Sequence, residues 1–374
     1  MGFKVKEQQV IVSTEIKQQL NDICAKHNIK KIMLVCGSSF QYLLPREEYL
    51  GIDTPYVIFS EFTPNPLYED VVKGVEIFRE NNCDAILAIG GGSSIDVAKC
   101  IKLFSKMDNS KLYLEQEYKE NDVLLIAIPT TSGTGSESTR YAVIYYDNKK
   151  QSVTHESIIP DYSLLDYRNL TTLPEYQKKC TMLDAFCQSI EAWWSVNATS
   201  ESKEYSRKAL KMIMDNMEAY LNNTDEGNKN MLIAANYAGR AINIAQTTAA
   251  HAMSYKLTSI YGIPHGRAAF ICLPHVWEYM WENKDRLDWE EKERIMDTFS
   301  QIIQELHCES VPVAIKYLSS LNTNLFQNNK IMMDSKDINV LATSVNPTRL
   351  KNNPIVLSTR VLREIYNVII AKYT

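Results

Sequence analysis

The feature that most constrains this chain is an apolar run that ends in glycines. CDAILAIG (83–90) runs straight into Gly91, Gly92, Ser93, Ser94, Ile95 and Asp96. A run this short and continuously apolar reads as a strand buried on both faces. Glycines directly after it let the backbone turn tightly into a helix, whose first N–H groups then form a seat for phosphate. Ser93 and Ser94 are placed to cap that helix. A plain glycine turn with a serine cap is the competing reading of this piece by itself.

The same design recurs in DVLLIAIP (122–129), which leads into Pro129-Thr130-Thr131-Ser132-Gly133-Thr134-Gly135-Ser136-Glu137. Two such turns at successive strand ends point to a bound nucleotide. KKIMLVC (30–36), TPYVIFS (54–60) and a helical pattern over 68–81 complete the alternation of a parallel sheet covered on both faces. Near residue 168 the pattern changes to long helices, predicted at 175–196, 201–221, 227–259 and 267–282. Segment 325–345 fits no element, and NLFQNNK (324–330) reads as a loop. A chain of 374 residues is too long for one ordinary core. The expected organisation is an α/β domain over 1–168 and an all-helical domain over 169–374, with a functional cleft between them.

Composition narrows the partners. A formal net charge of -5 gives no general reason to expect nucleic acid. The start, MGFKVKEQQVIVSTEIKQQL, lacks the apolar stretch of a secretory signal, and Lys6 stands where an acylation signal needs Ser or Thr. No apolar run approaches bilayer-spanning length. The eight cysteines are scattered without a C-x-x-C pair, which argues against a zinc ribbon or a disulfide framework and for a reducing cytoplasm.

In the helical half, MLDAFCQSIEAWW sets Asp184 and Gln188 four residues apart on one helix face. Their neighbours are apolar, so the pair is buried or lines a cleft and needs partners. HAMSYKLTSIYGIPHG adds His251 and His265, with Gly262-Ile263-Pro264 allowing the second to fold back. Mixed nitrogen and oxygen donors suit one divalent ion, Fe(II) or Zn(II), better than Mg(II).

These motifs together resemble the iron-containing (group III) alcohol dehydrogenase family: GGGSSIDVAK, PTTSGTGSE, the Asp184 helix and the GIPHG segment occur in its order and spacing. The resemblance implies a Rossmann-like α/β domain with an all-α C-terminal domain, a dehydroquinate synthase-like fold. It implies metal ligands at Asp184, Gln188, His251 and His265. It also implies cofactor contacts at Gly91, Gly92, Ser93, Thr130, Thr131, Thr134, Asn65 and Lys150. Asp96, too close to its turn to be the usual ribose acid, is grouped with them. Gln188 stands where the family usually has His, and Tyr255 where a further His often lies, so Tyr255 is a candidate proton donor. Gly37 replaces an aspartate common in NAD-preferring members. With Ser38 and Ser39 beside it, NADPH is favoured over NADH.

A narrower resemblance, in TGSESTRYAVIYYDNKKQSV and DAFCQSIEAWWSVNATSES, is to the phosphonoacetaldehyde reductase branch. It implies reduction of phosphonoacetaldehyde to 2-hydroxyethylphosphonate in phosphonate biosynthesis, by a cytoplasmic homodimer. Arg140 and Arg267 are the candidates to hold the phosphonate. The alternatives are a general reductase of short aldehydes, a dehydroquinate-synthase-like lyase, and a nucleotide sensor without turnover.

Overall fold

The computed structural model describes residues 8–43, 49, 51–147, 149–327 and 331–373. Lys6 and residues 328–330 of the predicted loop lie outside the described residues. Among the described residues a six-stranded parallel sheet is built from β1 (Gln9–Val12), β2 (Ile32–Cys36), β3 (Tyr56–Phe59), β4 (Ala85–Gly90), β5 (Leu124–Pro129) and β8 (Tyr162–Leu165). Its order is β1-β8-β5-β4-β2-β3.

The apolar runs are continuous because both faces are covered. Met33, Val35, Ile86, Ala88, Leu125 and Ala127 meet Val71, Val75 and Phe78 of helix α2 (Tyr68–Glu80) and Ile95 and Ile101 of α3 (Gly92–Phe104). The alternate residues Ile32, Leu34, Leu87, Ile89, Ile126 and Ile128 meet Ile16, Leu20 and Ile23 of α1 (Ile16–His27). Each such aliphatic side chain contributes about 1.5–3 kcal/mol by full burial.

Strand order positions the site. The crossover from β2 leads to β3 on one side, whereas β4 lies on the other side of β2 and is followed by β5. Crossovers that diverge in this way open a crevice at the carboxyl ends of the strands. Gly37, Gly91 and Thr130 all follow those ends. A hairpin of β6 (Tyr141–Tyr146) and β7 (Lys149–Thr154), which the sequence pattern did not reveal, is joined to segment 63–67 by a Leu67–Tyr145 bridge.

Two compact units result: residues up to Leu173 with Asn223–Leu232, and Pro174–Asn222 with Ile233–Thr374. A single cut at 168 misses the return at 223–232, because helix α6 (Asp225–Ala245) begins in one unit and ends in the other. The second unit includes α4 (Glu175–Trp194), α5 (Ser200–Leu221), α7 (Ala249–Tyr261) and α8 (His265–Glu282). The expected single helix 227–259 is interrupted between α6 and α7. Gln246 there has φ 62°, in the left-handed region that no continuing helix allows. Part of 325–345 forms a short helix, α11 (Ile338–Thr343). All eight cysteines are free thiols, and all but Cys308 are buried.

Helices α4 and α8 approach so closely at Gly266 that a Cβ there would lie 2.1 Å from the Cys180 carbonyl and 2.7 Å from the Asp184 nitrogen. Those are backbone atoms and cannot swing away. Gly266→Ala is therefore expected to destabilise the protein by about 1–3 kcal/mol. The check is its urea or thermal midpoint beside that of the unsubstituted chain.

Candidate metal centre and cofactor-binding turns

Asp184, His251 and His265 offer ligand atoms that all lie within 4.8 Å of one another. Asp184 is on the middle of α4, His251 on the first turn of α7 and His265 at the start of α8. Ligands on one tetrahedral ion about 2.1 Å away stand roughly 3.4 Å apart, so only a small contraction would close the set. Gln188, one turn beyond Asp184 and buried, hydrogen-bonds the Asp184 carboxylate. The donors, two imidazoles with a carboxylate and an amide close by, all buried except the half-buried His265, fit one Fe(II) or Zn(II) ion.

The imidazole of His251 is held between two carboxylates. Its Nε2 is 3.2 Å from Asp184 Oδ1, and its Nδ1 bonds Glu191 Oε2. Burial alone would disfavour an imidazolium, but the two carboxylates hold the ring up at about 10. Burial likewise works against both carboxylates, and the His251 ring overrides it and keeps them below their ordinary range. A metal held at Nε2 would take the place of a proton there and leave Nδ1–H on Glu191, the arrangement that orients a metal-bound histidine. Glu191 Oε1 also accepts from Thr248 N at 3.0 Å, Thr248 Oγ1 at 2.8 Å and His251 N at 3.2 Å. Trp194 Nε1 donates to that Thr248 hydroxyl at 2.9 Å.

At His265, Nδ1 is 3.2 Å from Ser254 Oγ, whose own proton goes to the His251 carbonyl at 2.8 Å. The serine therefore accepts from Nδ1–H, and Nε2 carries the lone pair for a metal. Tyr255 stacks on the His265 ring with centroids 5.1 Å apart and planes 9° apart.

In the first unit three turns touch. A Cβ on Gly37 would lie 3.3 Å from Ser94 Oγ, one on Gly91 3.4 Å from the Thr131 methyl, and one on Gly92 3.0 Å from the Thr134 methyl. Gly90 has φ +156° and space only for hydrogen, because Ser94 Oγ would be 2.3 Å from a Cβ. Helix α3 starts on Gly91 with no side-chain cap, so the expected serine cap is corrected: Ser93 and Ser94 lie inside the first turn. Thr130 N bonds the Gly90 carbonyl at 3.0 Å, joining the two turns. Tyr145 N bonds Pro66 O, and Lys150 pairs with Tyr145, so the segment after Asn65 and strand β7 with Lys150 flank β6 at Tyr145. Gly37 and Ser38, though not Ser39, line a cavity of about 180 Å³ with Ile58 and Ser60.

Several expectations change. Asp96 accepts from Ser136 Oγ at 2.6 Å and Val143 N at 2.9 Å, so it ties the second turn and hairpin to α3. Lys99, which the sequence reading passed over, joins it from the same helix. Its Nζ donates to Ser136 Oγ, Thr139 Oγ1 and the Tyr141 carbonyl, and burial brings it down to about 8. Arg140 is paired with Glu156 at 2.7 Å. Arg267 is buried over Phe326 at 4.0 Å and donates to Tyr176. Glu191 was also missed. Its signal was a lone acid in the otherwise apolar string SIEAWW.

The comparisons with known proteins agree with this geometry. The model of the iron-containing alcohol dehydrogenase family matches residues 8–167, and that of the C-terminal part of the Fe-containing alcohol dehydrogenase family matches 179–370. This chain belongs to the iron-containing alcohol dehydrogenase family. It is 35% identical over 223 residues to probable alcohol dehydrogenase EutG of Escherichia coli, covering 57% of this chain and 56% of that one. It is 28% identical over 351 residues to the NADPH-dependent butanol dehydrogenase of Clostridium saccharobutylicum, covering 87% and 89%. The chain spans from about a quarter to about half the length of the first curated relatives it matches. Its fold is similar to sulfoacetaldehyde reductase from Bifidobacterium kashiwanohense, with TM-score 0.86, 22% identity and 98% of each chain covered. It is also similar to an iron-containing alcohol dehydrogenase from Thermococcus thioreducens, with TM-score 0.88, 23% identity, and 99% and 100% covered. Among the described residues no helix is long and apolar enough to cross a membrane.

Two outcomes follow. Glu191→Gln is expected to lower metal affinity about 10–100-fold, read by competition with a chelator, while unchanged affinity would remove Glu191 from metal support. His275 is buried, and burial, helped by Lys372, brings its ring down from 6.5 to about 4. It is neutral in the fold, so its contribution is present above pH 6.5 and is lost as pH falls towards 4. Unfolding midpoints of the chain and of His275→Gln should converge over that window.

Proposed function

We propose that this chain is a metal-dependent NAD(P)H oxidoreductase that reduces a short aldehyde to a primary alcohol, with phosphonoacetaldehyde as the best-fitting substrate. The observation that carries the reading is the Asp184–His251–His265 cluster with Glu191 behind it, in a chain of this family. A divalent ion bound there supplies Lewis acidity to the aldehyde oxygen. Asp184, His251 and His265 hold its position, and Glu191 keeps His251 in the tautomer that ligates. The turns at Gly91–Ser93 and Thr130–Thr134 bind the dinucleotide phosphates, and the protein orients the nicotinamide for hydride transfer. Tyr255, whose ring stacks on His265, is the residue we assign to pass a proton to the product oxygen.

The cavity beside Gly37 and Ser38 lacks a carboxylate among its lining residues, which supports NADPH, as in the similar butanol dehydrogenase. An anionic two-carbon aldehyde is supported by the sequence strings of the phosphonoacetaldehyde branch. A reductase of sulfoacetaldehyde shares the fold. Homodimer assembly and cytoplasmic residence belong to the same reading. The second reading, a general reductase of neutral short aldehydes, is favoured by the engagement of Arg140 with Glu156 and of Arg267 with Phe326.

The deciding experiment follows NADPH loss with phosphonoacetaldehyde, sulfoacetaldehyde and propionaldehyde, with Fe(II) or Zn(II) and with chelator. Metal-dependent turnover that favours the anionic aldehydes supports the proposal. Equal kcat/KM for propionaldehyde selects the second reading, and no NADPH loss with any aldehyde removes both. Tyr255→Phe is expected to lower kcat and to change its pH profile; an unchanged profile takes Tyr255 out of proton delivery.

A further inference from the structure

We infer that Arg349 receives the anionic end of the substrate, an inference that deepens the reductase reading and rests on it. Arg349 lies on the short helix α12 (Pro347–Leu350) and is half-buried. Its guanidinium carbon is 5.6 Å from the centroid of the Tyr255 ring, and Nη1 donates to Thr247 Oγ1 at 3.5 Å. Tyr255 is the ring stacked on His265. Thr247 directly precedes Thr248, whose amide and hydroxyl are bound by Glu191. Arg349 is thus tied at both contacts to residues that flank the metal ligands.

The segment carrying it is held in place. Asn352, three residues on, donates from Nδ2 to the Thr247 carbonyl at 3.1 Å and to Gln246 Oε1 at 3.0 Å. These bonds clamp the stretch after α12 onto the interruption between α6 and α7. Among the described residues no carboxylate pairs with Arg349. Arg140, Arg168 and Arg294, by contrast, are each paired with an acid, and Arg267 is packed over Phe326.

The chemistry of such a group is specific. A guanidinium kept half out of water, set over a ring and without its own acid, presents a planar fork to two oxygens of a tetrahedral anion. A phosphonate and a sulfonate share that recognition. The assignment puts the carbonyl oxygen at the Asp184–His251–His265 cluster and the anion on Arg349, so that a short aldehyde would be held at both ends. This arrangement also supplies the cation that Arg140 and Arg267, already engaged, do not.

The test compares the unsubstituted enzyme, Arg349→Met and Arg349→Lys with phosphonoacetaldehyde, sulfoacetaldehyde and propionaldehyde. It adds calorimetric titration of ethylphosphonate and ethanesulfonate into the metal-loaded protein, which reads binding without turnover. Arg349→Met is expected to lower the kcat/KM preference for the anionic aldehyde over propionaldehyde about 10–100-fold, mainly through KM, and to remove the heat of the matching anion. Arg349→Lys should restore part of both. The anion whose binding and preference fall further identifies phosphonate or sulfonate as the natural head group. An enzyme that prefers anionic aldehydes and keeps that preference in folded Arg349→Met overturns the assignment and leaves the reductase reading standing. A rise in KM confined to NADPH also overturns it, because the cation would then serve the cofactor. No preference for anionic aldehydes in the unsubstituted enzyme removes the anionic substrate class itself.

Discussion

Glu191 has none of its surface exposed, and a buried carboxylate costs several kcal/mol unless its oxygens are fully bonded. Here one oxygen collects the Thr248 amide and hydroxyl and the His251 amide, and the other takes the His251 ring. These bonds need exposed backbone donors at the start of a helix, which is why the chain stops at Ala245 and restarts at Ala249. The break, the orientation of His251 and the seat of Thr247 all follow from that one group. Removing it would leave the imidazole free to turn and the α7 amides without an acceptor.

The first unit uses a similar device for a different end. Asp96 and Lys99 occupy the helix that starts at the glycine turn, and together they bind Ser136, Thr139, Tyr141 and Val143. The second turn is irregular backbone, with Gly135 at φ 59°, and would not hold its shape by itself. Buried charges with complete sets of partners lock it against α3. In both units, then, buried charged groups hold the candidate ligand-binding segments in place.

Much of this was legible in the chain. Runs such as AILAIG and LLIAIP are apolar at every position only because both sheet faces are covered, and their glycine and threonine turns announce the crevice. Asp184, His251 and, after the GIP break, His265 stood out as candidate ligands by residue type, and the family entered through the resemblance of the motif strings. The roles of single charged residues could not. Arg267 beside GIPHG and Arg140 after the threonine turn looked free to meet an anion, yet Phe326 and Glu156 claim them from distant parts of the chain. Glu191 and Lys99 looked like ordinary helix charges, and their partners lie 57 and 37 residues away.

The sequence alone determined what depends on local pattern: the strands, the glycine turns and the helical second half. Periodicity and backbone freedom are properties of neighbouring residues, so they can be read along the chain. Only the tertiary structure decided which charges are occupied and which remain for a ligand. It buried Glu191 beneath His251, broke the helix at Gln246 and set Arg349, 84 positions beyond His265, over the Tyr255 ring. The reason is electrostatic: a charge is spent or left open by whatever the fold brings within a few ångströms, and that company is set by packing between remote segments.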